Sequence, residues 1–163
     1  MLPAICGDLD MRIARDGTWF YHGSPIGRKR LVKLFASVLR REDDGHYYRV
    51  TPAEKGRIVV DDAPFVAVAM DVTRVGQGQR LSFRTNIDEE VVADGAHPIR
   101  VDHNQLTGEP TPYVLVRDGL EALIGRAVYY DLVERGVEKQ VDGDTLYGVW
   151  SCGVFFPLGR AEE

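Results

Sequence analysis

Two stretches of this chain repeat one another at a fixed spacing, which limits the folds open to it. Ile26-Gly27-Arg28 recurs as Ile124-Gly125-Arg126, and Asp44-Gly45 recurs as Asp142-Gly143, both at an offset of 98 residues. Leu34 and Leu132 coincide under the same offset. Upstream, Arg15-Asp16-Gly17 returns as Arg117-Asp118-Gly119, at 102 rather than 98 residues. Asp-Gly alone is a common tight-turn signal, but its copies in register with Ile-Gly-Arg point to a duplicated unit. Duplication creates a seam between similar halves, and seams favour ligand sites. The repeat divides the chain into an N-terminal α+β half, residues 1–62, and a C-terminal β-rich half, residues 63–163.

A chain of 163 residues fits one compact domain or two half-domains sharing a core. Its 44% hydrophobic and 28% charged residues are those of a soluble globular protein. No run approaches the roughly 20 apolar residues needed to span a bilayer. The first residues, Met1 to Asp8, lack the basic and apolar regions of a secretory signal. The expectation is therefore a cytoplasmic protein with no membrane partner. A net charge of −5 argues against general nucleic-acid binding. The charge reverses locally at Arg28, Lys29, Arg30, Lys33, Arg40 and Arg41, which form either a solvated helix face or a patch for an anionic small molecule. Cys6 and Cys152 have no CxxC spacing and are expected as free thiols.

Local patterns fill in the halves. Residues 11–15 and 18–22 flank Asp16-Gly17, a hairpin with a type I′ turn. Ser24-Pro25 reads as a helix start, and Leu31, Leu34, Phe35, Val38 and Leu39 form a helical stripe from about Ile26 to Arg41. His46 to Val50 and Arg57 to Val60 read as strands around a loop. Asp61-Asp62-Ala63-Pro64 makes a turn before an apolar run from Phe65 to Val75. Gly76-Gln77-Gly78-Gln79 turns the chain into Arg80–Arg84, and Pro98–Val101 is a further short strand. Residues 103–112, with Gly108, Pro110 and Pro112, read as a loop or linker. In the second copy, Tyr113–Arg117 is a strand. Leu120-Glu121-Ala122-Leu123 has helix-forming composition, but the repeat makes it the second hairpin strand, before a helix from about Gly125 to Arg135. Residues 146–150 and 153–156 close the chain as strands. The expected fold class is α+β, with two related halves each containing β-β-α-β and mainly antiparallel sheets.

Asp16-Gly17-x-Trp19-x-x-His22-x-x-Pro25-Ile26 and Leu31-Val32-Lys33-Leu34-Phe35 belong to a broader pattern. It continues through Thr51-Pro52-x-Glu54-Lys55, Asp61-Asp62-Ala63-Pro64-Phe65, Val116-Arg117-x-Gly119-Leu120-Glu121-Ala122 and Trp150-Ser151-x-Gly153-x-Phe155-Phe156-Pro157. Over nearly its whole length the chain resembles an uncharacterised bacterial family known only as a domain of unknown function. The resemblance implies a duplicated α+β structure whose C-terminal half is similar to pleckstrin-homology-like folds. It also implies a nucleotide-type ligand at the seam and a part in signal transduction. It carries no catalytic residues to this chain, and fold analogy by itself is a weak warrant for function.

No GxxxxGK[ST], HExxH or GxSxG motif is present, and Gly76-Gln77-Gly78 lacks the third glycine of a dinucleotide fingerprint. No cofactor or metal is expected, although His97, Asp102 and His103 carry donor atoms. The most suggestive segment is Arg49–Arg57, which places Arg49, Lys55 and Arg57 with Glu54 around one loop. Arginine forks and a lysine point charge suit phosphate or carboxylate. Arg100, Arg117 and Arg126 could approach from the second copy, with His22 donating a hydrogen bond and Tyr47 as an apolar wall. Alternatively, Glu54 and Asp62 take these cations in structural ion pairs. The expected function is regulatory or signalling binding of a small anionic, nucleotide-type ligand at the seam. The alternatives are a protein-interaction module for a signalling partner, and a small hydrolase or transferase with Asp62 or His22 as base.

Overall fold

The computed structural model describes residues 4–74 and 78–161. The first half runs β1 (Ala4–Ile13), β2 (Trp19–Tyr21), β3 (Ser24–Pro25), α1 (Lys29–Ser37), β4 (Leu39–Arg41), β5 (Tyr47–Val50) and β6 (Glu54–Val60). The second begins with β7 (Phe65–Thr73), β8 (Arg80–Thr85), β9 (Glu90–Val92) and β10 (Ile99–His103). It continues through β11 (Pro110–Arg117), β12 (Leu120–Ile124), α2 (Arg126–Glu134), β13 (Val137–Val141), β14 (Asp144–Ser151) and β15 (Val154–Arg160). Among the described residues two short helices interrupt the strands, so the protein is mostly β-sheet rather than an even α+β mixture.

The first six strands form one sheet in the order β3-β2-β1-β6-β5-β4, and the next six form another, β10-β11-β12-β7-β8-β9. The last three make a separate sheet, β13-β14-β15. Pairing is antiparallel except between β1 and β6 and between β12 and β7. Each parallel pair is joined through a long intervening stretch, as parallel geometry requires. From β1 and from β11 onward, both halves share one order of elements: hairpin, helix, hairpin, strand.

The halves do not bury separate cores. Met11, Ile13, Trp19, Ala36 and Leu39 join Phe65, Phe83, Leu120 and Leu132 in one continuous apolar cluster. Removing this area from water is the main favourable contribution to the fold.

Several local expectations change. The α1 helix starts at Lys29, because Ser24 and Pro25 pair with β2 as a short edge strand, Phe20 opposite Pro25. A proline fits such an edge position because no ladder hydrogen bond is asked of it. The helix stops at Ser37, and Leu39–Arg41 becomes β4, opposite Tyr47–Arg49. The buried helix positions are Val32 and Ala36, whereas Leu31 and Leu34 point outward.

Of residues 103–112 only 104–109 form the expected loop, and it is a hairpin connection rather than a linker. Strands β10 and β11 are a hairpin, from Ile99 opposite Val114 to His103 opposite Pro110. Leu120–Ile124 is a strand, as the repeat requires and helix propensity does not. Strand β13 is exposed over its first four residues, so it lacks the alternation that marks a strand in sequence. The expected turn at Gly76-Gln77 falls on residues 75–77, outside the described residues.

The repeated Asp-Gly pairs do not form the same turn. Asp118 and Gly119 both have positive φ, 48° and 76°, the type I′ geometry. At Asp16-Gly17 only the glycine does, at 91°. Ala14 N–H donates to Thr18 O at 2.8 Å and Gly17 N–H to Ala14 O at 2.9 Å, which closes a longer loop. The Asp16 carboxylate accepts the Thr18 N–H at 2.9 Å and holds that loop.

Candidate functional site

The pleat divides the predicted cation cluster. On the β5–β6 ladder, Tyr48 lies opposite Arg57, Arg49 opposite Gly56, and Val50 opposite Lys55. Side chains alternate along a strand, so Tyr47 and Arg49 share one face while Lys55 and Arg57 occupy the other.

Each cation also has a carboxylate. Arg49 Nη2 donates to Glu54 at 2.8 Å, and its guanidinium lies over Phe35 with Nε buried. Lys55 Nζ donates to Glu42 at 2.6 Å and sits over the Tyr48 ring. That hydrogen bond raises the Lys55 pKa above its ordinary value. Arg57 lies 3.9 Å from Asp8 in a looser pair. All three are in ion pairs, but of the two carboxylates expected to take them only Glu54 does so: Lys55 goes to Glu42 and Arg57 to Asp8, while Asp62 pairs with Arg15.

The other predicted residues are spread over the molecule. His22 sits in the β2–β3 turn, φ 51°, with Nδ1 3.0 Å from Asp10 and its ring on Tyr21. It is not at a helix N-terminus. Tyr47 is half-buried against the core, and burial raises its hydroxyl pKa. Arg100 grips Glu121 through two bonds of 2.7 and 2.8 Å, pairs with Asp102 and stacks over Tyr113. Arg117 binds Glu89 and donates to the Ala36 carbonyl at 3.3 Å. His97 pairs with Asp94. Among the described residues no group of three or more His, Cys, Asp or Glu is placed to hold a metal ion.

Arg126 is different. Among the described residues it has no hydrogen-bond or ion-pair partner, and it is exposed at the first position of α2. It lines a seam cleft of about 450 Å³ together with Arg15, Glu109, Gly125, Tyr129 and Tyr130, over a wall of Pro110, Pro112, Leu123 and Ile124. That volume lies within the usual range for small-molecule sites.

Arg15 enters from the β1–β2 turn. Its Nε lies 3.2 Å from Asp62, whose other oxygen accepts the Tyr113 hydroxyl at 2.6 Å. Burial, then this bond to Asp62, pushes the Tyr113 hydroxyl far above the ordinary tyrosine value.

The α2 N-terminus completes the cleft. Gly125 caps it without a side-chain bond, and the first turn has no acidic residue. Gly125 N–H donates to Ala67 O at 3.1 Å, and a Cβ there would sit 3.3 Å from the same oxygen. The glycine therefore lets α2 start tight against β7. The open first-turn amides and Arg126 give this mouth a positive field, offset in part by Glu109. Arg15 was visible only as half of a repeated Arg-Asp-Gly. Nothing local in sequence joins it to Arg126.

The family's N-terminal domain, a domain of unknown function (DUF1285), matches residues 2–63, and its C-terminal domain matches residues 64–158. The chain belongs to the DUF1285 family. It is similar to the crystal structure of a DUF1285 family protein from Silicibacter pomeroyi DSS-3 at 50% identity and a TM-score of 0.89, covering 98% of this chain and 84% of that one. It is also similar to a DUF1285 family protein from Shewanella baltica OS155 at 30% identity and a TM-score of 0.59, covering 78% of this chain and 92% of that one. No curated protein matches it. Among the described residues no helix is long and apolar enough to cross a membrane.

Proposed function

We propose that this DUF1285 protein is a cytoplasmic regulatory or signalling protein that binds a small anionic, nucleotide-type ligand at the seam of a duplicated structure. One observation carries the reading: Arg15 from the first half and Arg126 from the second converge on one cleft at the uncapped start of α2. Among the described residues the Arg126 side chain has no hydrogen-bond or ion-pair partner. A phosphate would accept the α2 amides and the Arg126 fork, and Tyr129 or Tyr130 could flank a base or sugar. The C-terminal half would be the pleckstrin-homology-like one, supplying α2 and most of the cleft.

Thermal shift against inorganic phosphate, nucleotides and cyclic nucleotides tests this. A ligand at about 100 times its Kd stabilises the fold by roughly 2.7 kcal/mol, a rise of several degrees in Tm. The rise is expected to disappear in Arg15→Ala/Arg126→Ala and to persist in Lys55→Ala/Arg57→Ala. A hit that survives the first pair, or no hit in the whole panel, rejects the seam cleft as the site.

A second reading, a protein-interaction module, has its own support. Leu31 and Leu34 are exposed on α1 beside Arg28, Lys29 and Arg30 around a cleft of about 720 Å³. Under that reading, binding of a signalling partner would be lost in Leu34→Asp and retained in Arg15→Ala/Arg126→Ala.

A further inference from the structure

The longest stretch of this chain without an acidic residue lies between Asp16 and Glu42, and α1 runs through it. Arg28, Lys29, Arg30 and Lys33 lie on the helix or at its N-cap. Lys29 and Lys33 share one carboxylate, Asp88 in the β8–β9 turn, each at 3.0 Å. The side chains of Arg28 and Arg30 are exposed and have no hydrogen-bond or ion-pair partner among the described residues. Four cations thus meet one carboxylate, on a chain whose net charge is −5. The helix start has no side-chain cap and no acidic residue in its first turn, so its open amides add to the positive field.

The same helix turns apolar side chains outward. Val32 and Ala36 are its buried positions. At 3.6 residues per turn Leu34 lies on the side opposite them, with Arg30 beside it and Leu31 one turn earlier. Leu34 is 61% exposed and Leu31 37%. Lys29 and Lys33 fall on one flank, where Asp88 holds them and fixes how the helix presents this face. A hollow of about 720 Å³ along the face is lined by Arg28, Lys29, Arg30, Leu31 and Leu34. All five come from α1 and its N-cap, so among the described residues no second element supplies a facing wall.

We propose that this face of α1 docks on the surface of an anionic lipid bilayer, Leu31 and Leu34 entering between headgroups while Arg28 and Arg30 bind their phosphates. Guanidinium forks suit phosphate oxygens, and each basic residue near an anionic leaflet contributes roughly fivefold in affinity. Size decides between this occupant and a protein. A stable protein complex buries roughly 800 Å² on each partner around an apolar centre, and two leucines on one turn make a small centre for that. Reversible adsorption needs less, because a bilayer is broad, deformable and carries phosphates wherever the arginines reach. The negative remainder of the chain is repelled by the same leaflet, which turns α1 toward it. A chain bound this way lies in the headgroup layer and does not span it, so no membrane-crossing helix is required. The site is separate from the seam cleft, and neither proposal depends on the other.

The test is co-sedimentation of the full chain with vesicles of equal parts phosphatidylcholine and phosphatidylglycerol, against vesicles of phosphatidylcholine alone. Adsorption is expected on the anionic vesicles and should fall steeply with added salt. Arg28→Ala/Arg30→Ala should lower the partition coefficient by about thirtyfold, the product of two cations at roughly fivefold each. Leu34→Glu should lower it by about tenfold or more, and Arg15→Ala/Arg126→Ala should leave it unchanged. A spin-labelled lipid in small bicelles of the same anionic mixture should broaden the amides of Arg30, Leu31 and Leu34 in the ¹⁵N-labelled chain. That measurement reads the unmodified protein and decides if a variant fails to fold. Equal adsorption to both kinds of vesicle, broadening confined to residues outside α1, or variants that adsorb like the original chain would overturn the proposal. So would a protein partner lost in Leu34→Asp, if the unmodified chain leaves the anionic vesicles bare.

Discussion

Asn86 Nδ2 donates to the main-chain carbonyl of Gly17 at 3.3 Å, tying the β8–β9 turn to the first hairpin of the other half. The rest of Asn86 is fixed by Val66: its Oδ1 accepts the Val66 N–H at 3.0 Å, and its own N–H donates to Val66 O at 2.8 Å. Gly17 is thus pinned from outside as well as by its φ of 91°. A Cβ there would lie 2.7 Å from Asn86 Nδ2 and 3.2 Å from Val66 Cγ2. Gly17→Ala is expected to cost about 1–3 kcal/mol in urea unfolding, from left-handed strain and the displaced amide together. Paired with Asn86→Ala, the losses should be less than additive. Strict additivity would show that the two residues do not act on one another.

Alkaline pH should loosen the Asp62–Tyr113 contact. The Tyr113 hydroxyl is raised by burial and then by its bond to Asp62, and Tyr47 is raised by burial. Tyrosine in the unfolded chain ionises near pH 10. A raised folded-state pKa leaves the native state holding the proton longer, so its contribution is complete below about pH 10 and falls as pH rises toward the folded value. Urea midpoints from pH 8 to 11 should therefore decline above about pH 10. Tyr113→Phe should show a shallower decline, with the remainder belonging to Tyr47, Tyr48 and Tyr129, which are also raised. An unchanged decline in that variant would remove Tyr113 from the account.

Helix α1 shows what a single sequence could disclose and what it could not. Its existence and approximate place follow from apolar spacing, but its inward face does not. Leu31, Leu34 and Phe35 make as good a stripe as Val32, Phe35, Ala36 and Leu39, and tertiary packing selects the second. Leu34→Glu should leave stability within about 0.5 kcal/mol, the norm for an exposed position. Ala36→Leu should cost about 1–3 kcal/mol by overpacking a fully buried site. The reverse ranking in thermal melts would mean that the helix is rotated.

The candidate site divides along similar lines. Charge spacing marked Arg49, Lys55 and Arg57 as neighbours, but strand alternation places Arg49 opposite the other two, which a loop in sequence cannot show. Arg49 finds its carboxylate within the same segment, Glu54, but Lys55 and Arg57 meet carboxylates from elsewhere, Glu42 across 13 positions and Asp8 from β1. The Ile-Gly-Arg repeat did indicate the seam, and Arg126 lies on it. Arg15 reaches the same cleft through pairing far apart along the chain, and no local pattern encodes that convergence. The Asp-Gly copies mark four turns between paired strands, yet Asp16 and Asp118 differ in φ sign because their loops differ in length.

Arg117 provides the sharpest test of how the halves are joined. Its Nη2 donates to the Ala36 carbonyl in the last turn of α1 while Nε and Nη2 hold both oxygens of Glu89, and the guanidinium lies over Phe65. One planar group thus satisfies a helix-end carbonyl, a carboxylate and an aromatic face, a combination an ammonium point charge cannot reproduce. Arg117→Met keeps the apolar stem but leaves Glu89 without its donor and Ala36 O with only the Val38 N–H, for an expected loss of about 1–3 kcal/mol. Arg117→Lys should recover less than half of it. Amide exchange in the last turn of α1 should quicken in both variants, because the tether acts at Ala36. A lysine variant as stable as the original chain would show that only charge matters at this position and that the fork geometry does not.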